Sequence, residues 1–161
     1  MKVKIGVLSD THLQSVTEAF KGIYDQWLAE VDVILHAGDF VSEEIVTFLR
    51  KKPFHGVHGN TDSAGIKRQL PEKKVMEFGL YRVGLIHGTG PKGDLEERVL
   101  AEFQNVDVIV FGHSHRPENR QEGRVLLFNP GTAGGYTPSG FNSIGIITLD
   151  DTIRGEIIRI T

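Results

Sequence analysis

Apolar positions along the chain fall into short β-branched runs separated by stretches with helical spacing. Val3 to Leu8 is interrupted only by Lys4 and Gly6 and reads as a strand. Ser15-Val16-Thr17-Glu18 has the form of a capping box, and Val16, Phe20, Ile23, Tyr24, Trp27 and Leu28 then recur at helical intervals, predicting a helix to about Glu30. Val31 to Leu35 is the next strand. Ser42 suits the cap of a second helix that opens with Glu43 and Glu44 and closes with Arg50, Lys51 and Lys52, signs that match the macrodipole, before Pro53 stops it. His55 to His58 and Tyr81 to Ile86 predict further strands. Asp94 with Glu97 repeats the capping-box form ahead of a helix with Leu95, Val99, Leu100 and Phe103 facing inward, and Val106 to Phe111 predicts another strand.

This alternation argues for βαβ units and a largely parallel sheet over the first two thirds of the chain. Beyond Phe111 the helical spacing ends. Arg124 to Phe128, Ser143 to Leu149 and Glu156 to Ile160 read as strands, predicted to pair antiparallel in a second sheet packed on the first. Val31-Asp32-Val33-Ile34 and Val106-Asp107-Val108-Ile109 echo each other without making a repeat array. No linker or low-complexity tract interrupts residues 1–161, so one domain is expected.

Composition narrows the function classes. A net charge of -3 gives no bulk electrostatic footprint for nucleic acid or an anionic membrane. The chain has no cysteine, which excludes disulfides, thiolate metal sites and cysteine nucleophiles. The apolar stretch from Val3 to Leu8 is too short for a signal-peptide core or a membrane span, so a cytoplasmic protein is expected. Homo-oligomerisation is left open.

The chemistry lies just past the predicted strands, where the chain reads SDTH, HAGD, HGNTD, IHGTG and FGHSH. Open α/β sheets place functional groups beyond the carboxyl ends of their strands, so the donors of these segments are expected on one rim. Residues i and i+2 of an extended chain point to one side, which predicts that Asp10 projects with His12 and His113 with His115. The candidate ligands are Asp10, His12, Asp39, Asn60, His87, His113 and His115. Two carboxylates, an amide oxygen and four imidazoles are too many donors for one tetrahedral zinc and suit two ions. A mixed nitrogen and oxygen set favours borderline divalent ions, manganese foremost, with zinc, iron or nickel as alternatives. His36 falls on the opposite face from Asp39 and reads as a buried histidine behind the site; His58 can line a pocket or the surface, and His55 is structural. Residues 88 to 94, GTGPKGD, lack the phosphate-loop spacing and read as a rim loop, whereas 129 to 140 fits either a lid or a long strand connection. Arg50 to Lys52 and Lys73-Lys74 read as solvated surface.

The ordered set Asp10-x-His12, Gly38-Asp39, Gly59-Asn60-x-Asp62, His87 and Gly112-His113-x-His115 resembles the calcineurin-like metallophosphoesterases, specifically the small bacterial and archaeal phosphodiesterase branch that also includes Vps29. The resemblance implies a four-layer αββα sandwich of two mixed β-sheets flanked by helices. It implies Asp10, His12 and His115 on one ion, Asn60, His87 and His113 on the other, and Asp39 between them. A small phosphodiester or nucleotide-like substrate would be hydrolysed by a metal-bridging hydroxide, the two ions lying roughly 3.5–4 Å apart. Larger relatives carry His after the motif asparagine, where this chain has Thr61; Asp62 is the remaining candidate acid. The Vps29 likeness implies the alternative of a protein-binding scaffold subunit that keeps the fold.

Overall fold

The computed structural model describes residues 1–161. Ten strands and four α-helices alternate along it. They are β1 (Val3–Leu8), α1 (Glu18–Ile23), β2 (Val33–His36), α2 (Glu43–Leu49), β3 (Phe54–Gly56), α3 (Ala64–Gln69), β4 (Lys73–Phe78), β5 (Tyr81–Ile86), α4 (Leu95–Ala101), β6 (Val108–Val110), β7 (Glu118–Glu122), β8 (Val125–Asn129), β9 (Ser143–Leu149) and β10 (Ile153–Arg159). A π-helical turn, Tyr24–Leu28, prolongs α1.

The strands form two five-stranded sheets, in the orders β10-β9-β1-β2-β3 and β4-β5-β6-β8-β7. Each is mixed: β1, β2 and β3 are parallel, as are β5, β6 and β8, and antiparallel strands flank both sets. Alternation along β1 sets the layers. Ile5 and Val7 face the other sheet, in a core with Val33, Leu35, Val83, Leu85, Val108, Val110 and Phe128. Leu8 turns the other way, onto Phe20, Leu28, Ile45 and Leu49 from the helices. On the far side, Ile109, Phe111 and Leu127 bury Leu95 and Val99 of α4. The result is helices, sheet, sheet and helix, the expected four-layer sandwich.

The Val-Asp-Val-Ile echo has a common structural cause. Asp32 accepts the backbone N–H of Lys4 at 2.8 Å, and Asp107 accepts that of Arg82 at the same distance. Each aspartate closes the start of a parallel pair, β1 with β2 or β5 with β6, so the strands begin at Val33 and Val108 rather than Val31 and Val106.

Several expectations need correction. The three tail strands do not make a separate sheet: β8 lies parallel to β6 in one sheet, while β9 and β10 complete the other. Lys73-Lys74 opens β4, and β7 reads ENRQE; both are edge strands of the second sheet, where charge discourages pairing with other chains and hides the strand signal. The short α3 buries only Ile66, too little for a periodicity. Thr17, not Ser15, caps α1, accepting the Phe20 N–H. Asp94 makes no side-chain cap; its carboxylate takes Arg98 Nε instead.

Candidate metal centre

Strands β1, β2, β5 and β6, and the segment after β3, release the chain at one rim, where short backbone bonds fasten the loops together. Asp10 donates its N–H to Gly38 C=O at 2.9 Å, His12 to Asp39 C=O at 3.2 Å and Gly112 to His87 C=O at 3.1 Å. The backbone is not extended here. Asp10, His12, Asp39, His113 and His115 all have positive φ, between +48° and +74°. A non-glycine residue in that region costs about 1–3 kcal/mol, so a concentration at five of the seven nominated positions marks strain held for the geometry of the site. The strand-alternation argument for Asp10 with His12, and for His113 with His115, is therefore corrected: left-handed turns aim these side chains. Glycine permits the close approach at two of the turns. A Cβ on Gly112 would lie 2.7 Å from Asp10 Oδ2, and one on Gly59 2.8 Å from Asp39 Cγ.

The side chains meet around two carboxylate oxygens. Asp10 Oδ1 lies 3.3 Å from His115 Nε2, 3.7 Å from His12 Nε2 and 3.9 Å from His87 Nε2. Asp39 Oδ2 lies 3.2 Å from His87 Nε2 and 3.7 Å from His12 Nε2. Two groups of donor atoms result, each spanning at most 4.8 Å: Asp10, His12 and His115, and Asp10, Asp39 and His87. Asn60 Oδ1 adds itself to the second at 3.1 Å from His87 Nε2. His113 stands on that side too, its ring centroid 5.1 Å from that of His87, while the His115 ring is 5.1 Å from that of His12. Of the two histidines of FGHSH, His115 is thus in the first group and His113 lies beside His87 of the second.

Backbone carbonyls fix the imidazoles. His87 Nδ1 meets Ala37 C=O at 2.8 Å, His115 Nδ1 meets Tyr136 C=O at 2.6 Å, and His113 Nε2 meets Gly90 C=O at 2.8 Å. A carbonyl only accepts, so that nitrogen carries a proton, and in a neutral ring the other keeps its lone pair. In a neutral His87 that lone pair would face the oxygens of Asp39, Asn60 and Asp10 with no proton between them, an arrangement relieved by protonating the ring or by a cation. Asp10 Oδ1 and His12 Nε2 are likewise buried without a hydrogen bond. Buried acceptors facing each other are unfavourable, and a cation among them satisfies all of them at once. The residues present therefore fit divalent metal.

The electrostatics agree. Burial opposes the Asp10 charge, but His115, His12, the positive field of His87 and Ser9 outweigh it and hold the carboxyl well below its ordinary range. Burial likewise opposes the Asp39 charge and is outweighed by its bond to His87, lowering that group too. Burial disfavours the His87 imidazolium, yet Asp39 and Asp10 raise it; His115 rises for the same reason through Asp10. His113, with no carboxylate bonded to its ring, is lowered by burial.

Asp62 occupies a different place from the one expected of an acid. It is buried, and its two oxygens accept the backbone N–H groups of Asp39, Val41 and Gly59 at 2.8–2.9 Å, so neither points a proton at the cluster. It fastens the strained Asp39 turn instead. His36 is the buried histidine behind the site: Nδ1 accepts the Gly38 N–H, Nε2 meets Thr11 Oγ1 at 2.6 Å, and the ring stacks on Phe40. Segment 129–140 is neither a lid nor a plain connection, but a wall of the site. Thr132 Oγ1 donates to Asp10 C=O at 2.7 Å, Asn129 Nδ2 donates to Gly112 C=O at 3.2 Å, and Tyr136 orients His115. The only sequence signal for these residues was the run of glycine and proline. A cleft of about 560 Å³ opens beside Asn60 and His87, lined also by His58, Lys67, Thr89 and Arg98.

A family model described as the calcineurin-like phosphoesterase superfamily domain matches residues 3–152. The chain belongs to that superfamily. A probable metallophosphoesterase of Methanothermobacter thermautotrophicus is 39% identical over 96% of this chain and 91% of its own length. A phosphodiesterase of Methanocaldococcus jannaschii is 26% identical, over 97% of this chain and 99% of the relative. Among solved structures, Vacuolar Protein Sorting 29 from Cryptosporidium parvum superposes with a TM-score of 0.76 at 22% identity, covering 98% of this chain and 97% of that one. That likeness is one of fold. As a calcineurin-like phosphoesterase the chain is of a metallophosphoesterase family, and its clustered aspartates and histidines are the groups expected of one.

Proposed function

We propose that this calcineurin-like phosphoesterase hydrolyses small phosphodiesters with two divalent ions, manganese foremost, in the reducing cytoplasm that a cysteine-free chain suits. Asp10, His12 and His115 hold one ion; Asn60, His87 and His113 hold the other. Asp39, whose Oδ2 lies 3.7 Å from His12 Nε2 and 3.2 Å from His87 Nε2, would serve both. The observation that carries the reading is the convergence of carboxylate and imidazole donor atoms in two neighbouring groups, around the buried Asp10, Asp39 and His87. When bound, such an ion pair activates water for in-line attack and neutralises charge developing on the phosphoryl oxygens.

The chain's own residues supply the rest. Ala37, Gly90 and Tyr136 carbonyls hold the imidazole tautomers, and Asp62 and Thr132 hold the turns that carry Asp39 and Asp10. The cleft beside His87 accepts a leaving group of nucleotide size, with Lys67 offering positive charge to an anion. Because Asp62 is fully engaged with backbone, the departing oxygen takes its proton from solvent, and esters with good leaving groups react fastest. A scaffold subunit would need none of these donors.

The test is turnover of bis(p-nitrophenyl) phosphate with added manganese. Activity that disappears in Asp39→Asn is expected; wild-type turnover no greater than that variant's sinks the proposal.

A further inference from the structure

Arg98 lies on α4, outside the donor cluster, yet its guanidinium is committed to a single loop. Nη1 donates to Thr89 C=O at 2.9 Å; Nη2 donates to Gly88 C=O at 3.1 Å and also to Pro91 C=O; Nε is paired with Asp94 Oδ1 at 3.1 Å. Three carbonyls of four consecutive residues thus turn inward onto one planar fork. The fourth, Gly90 C=O, turns outward and accepts His113 Nε2–H at 2.8 Å. That bond decides which nitrogen of His113 keeps a lone pair.

We infer that Arg98 is a positioning residue for His113: by gathering the carbonyls of Gly88, Thr89 and Pro91 it presents Gly90 C=O, which holds the proton on Nε2 and leaves Nδ1 as the ligating atom of the second ion. The inference rests on the two-ion reading for its consequence, though not for its geometry. A guanidinium is needed because its donors lie in one rigid plane; an ammonium is a point charge that satisfies fewer carbonyls at once. Removing the outer partner of a metal-ligating histidine costs on the order of 10–100-fold in metal affinity. His115 is held by the Tyr136 carbonyl instead, so the cost falls on one ion alone.

The experiment compares wild type with Arg98→Lys and Arg98→Met by calorimetric titration of manganese into metal-free protein. A parallel measurement is the ¹⁵N spectrum of His113 without metal. The expected result is about 10–100-fold weaker binding of one ion and unchanged binding of the other, together with a His113 ring that shifts from a pure Nε2–H form to a mixture of tautomers. Arg98→Lys keeps the charge and helix propensity and so remains informative if Arg98→Met folds poorly. Unchanged affinities and an unchanged Nε2–H signal in both variants overturn the inference and leave the two-ion reading standing. If wild type binds no manganese, the two-ion reading falls, and the tautomer comparison alone still decides whether Arg98 sets His113.

Discussion

Asp62 Oδ2 accepts the backbone N–H of Asp39 at 2.8 Å, joining two acidic residues whose carboxylates do different work. One faces the histidine cluster; the other holds the backbone of the first. The same Asp62 carboxylate takes the N–H of Val41, a β-branched residue at φ +78°, and that of Gly59.

Asp62→Asn puts an amide NH₂ against one or more of these donors. Hydrogen bonds to a charged acceptor are worth about 1.5–3 kcal/mol each, so a loss of about 2–3 kcal/mol in unfolding free energy is expected in urea titration. If Asp62 acts by position rather than as an acid, kcat falls without loss of the basic limb of the pH–rate profile. Disappearance of that limb would restore Asp62 as the proton donor.

Divalent metal should stabilise the fold by mass action. At manganese one hundred times its dissociation constant, about 2.7 kcal/mol per site is expected, read as a rise in Tm over metal-chelated protein. Asp10 Oδ1 belongs to both donor groups, so Asp10→Ala should abolish most of that rise. A full rise in the variant would place the metal elsewhere.

His36 is buried, and burial pushes its imidazole down to about 3. The unfolded chain, with a histidine near 6.5, then binds more protons between those values, so this contribution to stability is present above pH 6.5 and is lost as pH falls toward 3. For metal-free protein the loss from this group between pH 7 and pH 5 is about 2 kcal/mol. The check is direct: ¹⁵N shifts of His36 should stay those of a neutral ring at pH 5. Titration near pH 6.5 would contradict the lowering.

Gly112→Ala should be severe for a single methyl. Its Cβ would overlap Ser9 Oγ and sit 2.7 Å from Asp10 Oδ2, which the backbone N–H of His113 also reaches at 3.0 Å. Overpacking of this kind costs about 1–3 kcal/mol, and the displaced Asp10 should weaken metal binding as well. Wild-type affinity in a folded variant would show that the turn yields freely.

The amino-acid sequence by itself determined the alternation of strands and helices and the residues that meet at the rim. Those signals are local: a buried parallel strand needs a continuous apolar run, as Val83 to Ile86 shows with Gly84 alone interrupting it, and the turn after such a strand carries the polar groups. Edge strands β4 and β7 were not legible, since solvent on one side and unpaired backbone along one edge leave little reason for an apolar pattern. The division of the tail between two sheets was likewise undecided, because β8 and β9 are equally apolar and only their pairing with β6 and β1 separates them. Tertiary structure alone set the Asp62 carboxylate against the backbone N–H groups of Asp39, Val41 and Gly59 and chose which imidazole nitrogens meet carbonyls. It also brought Arg98 and Tyr136 to act on His113 and His115 through carbonyl groups. Every residue type has such a carbonyl, so its role is invisible until the chain is folded.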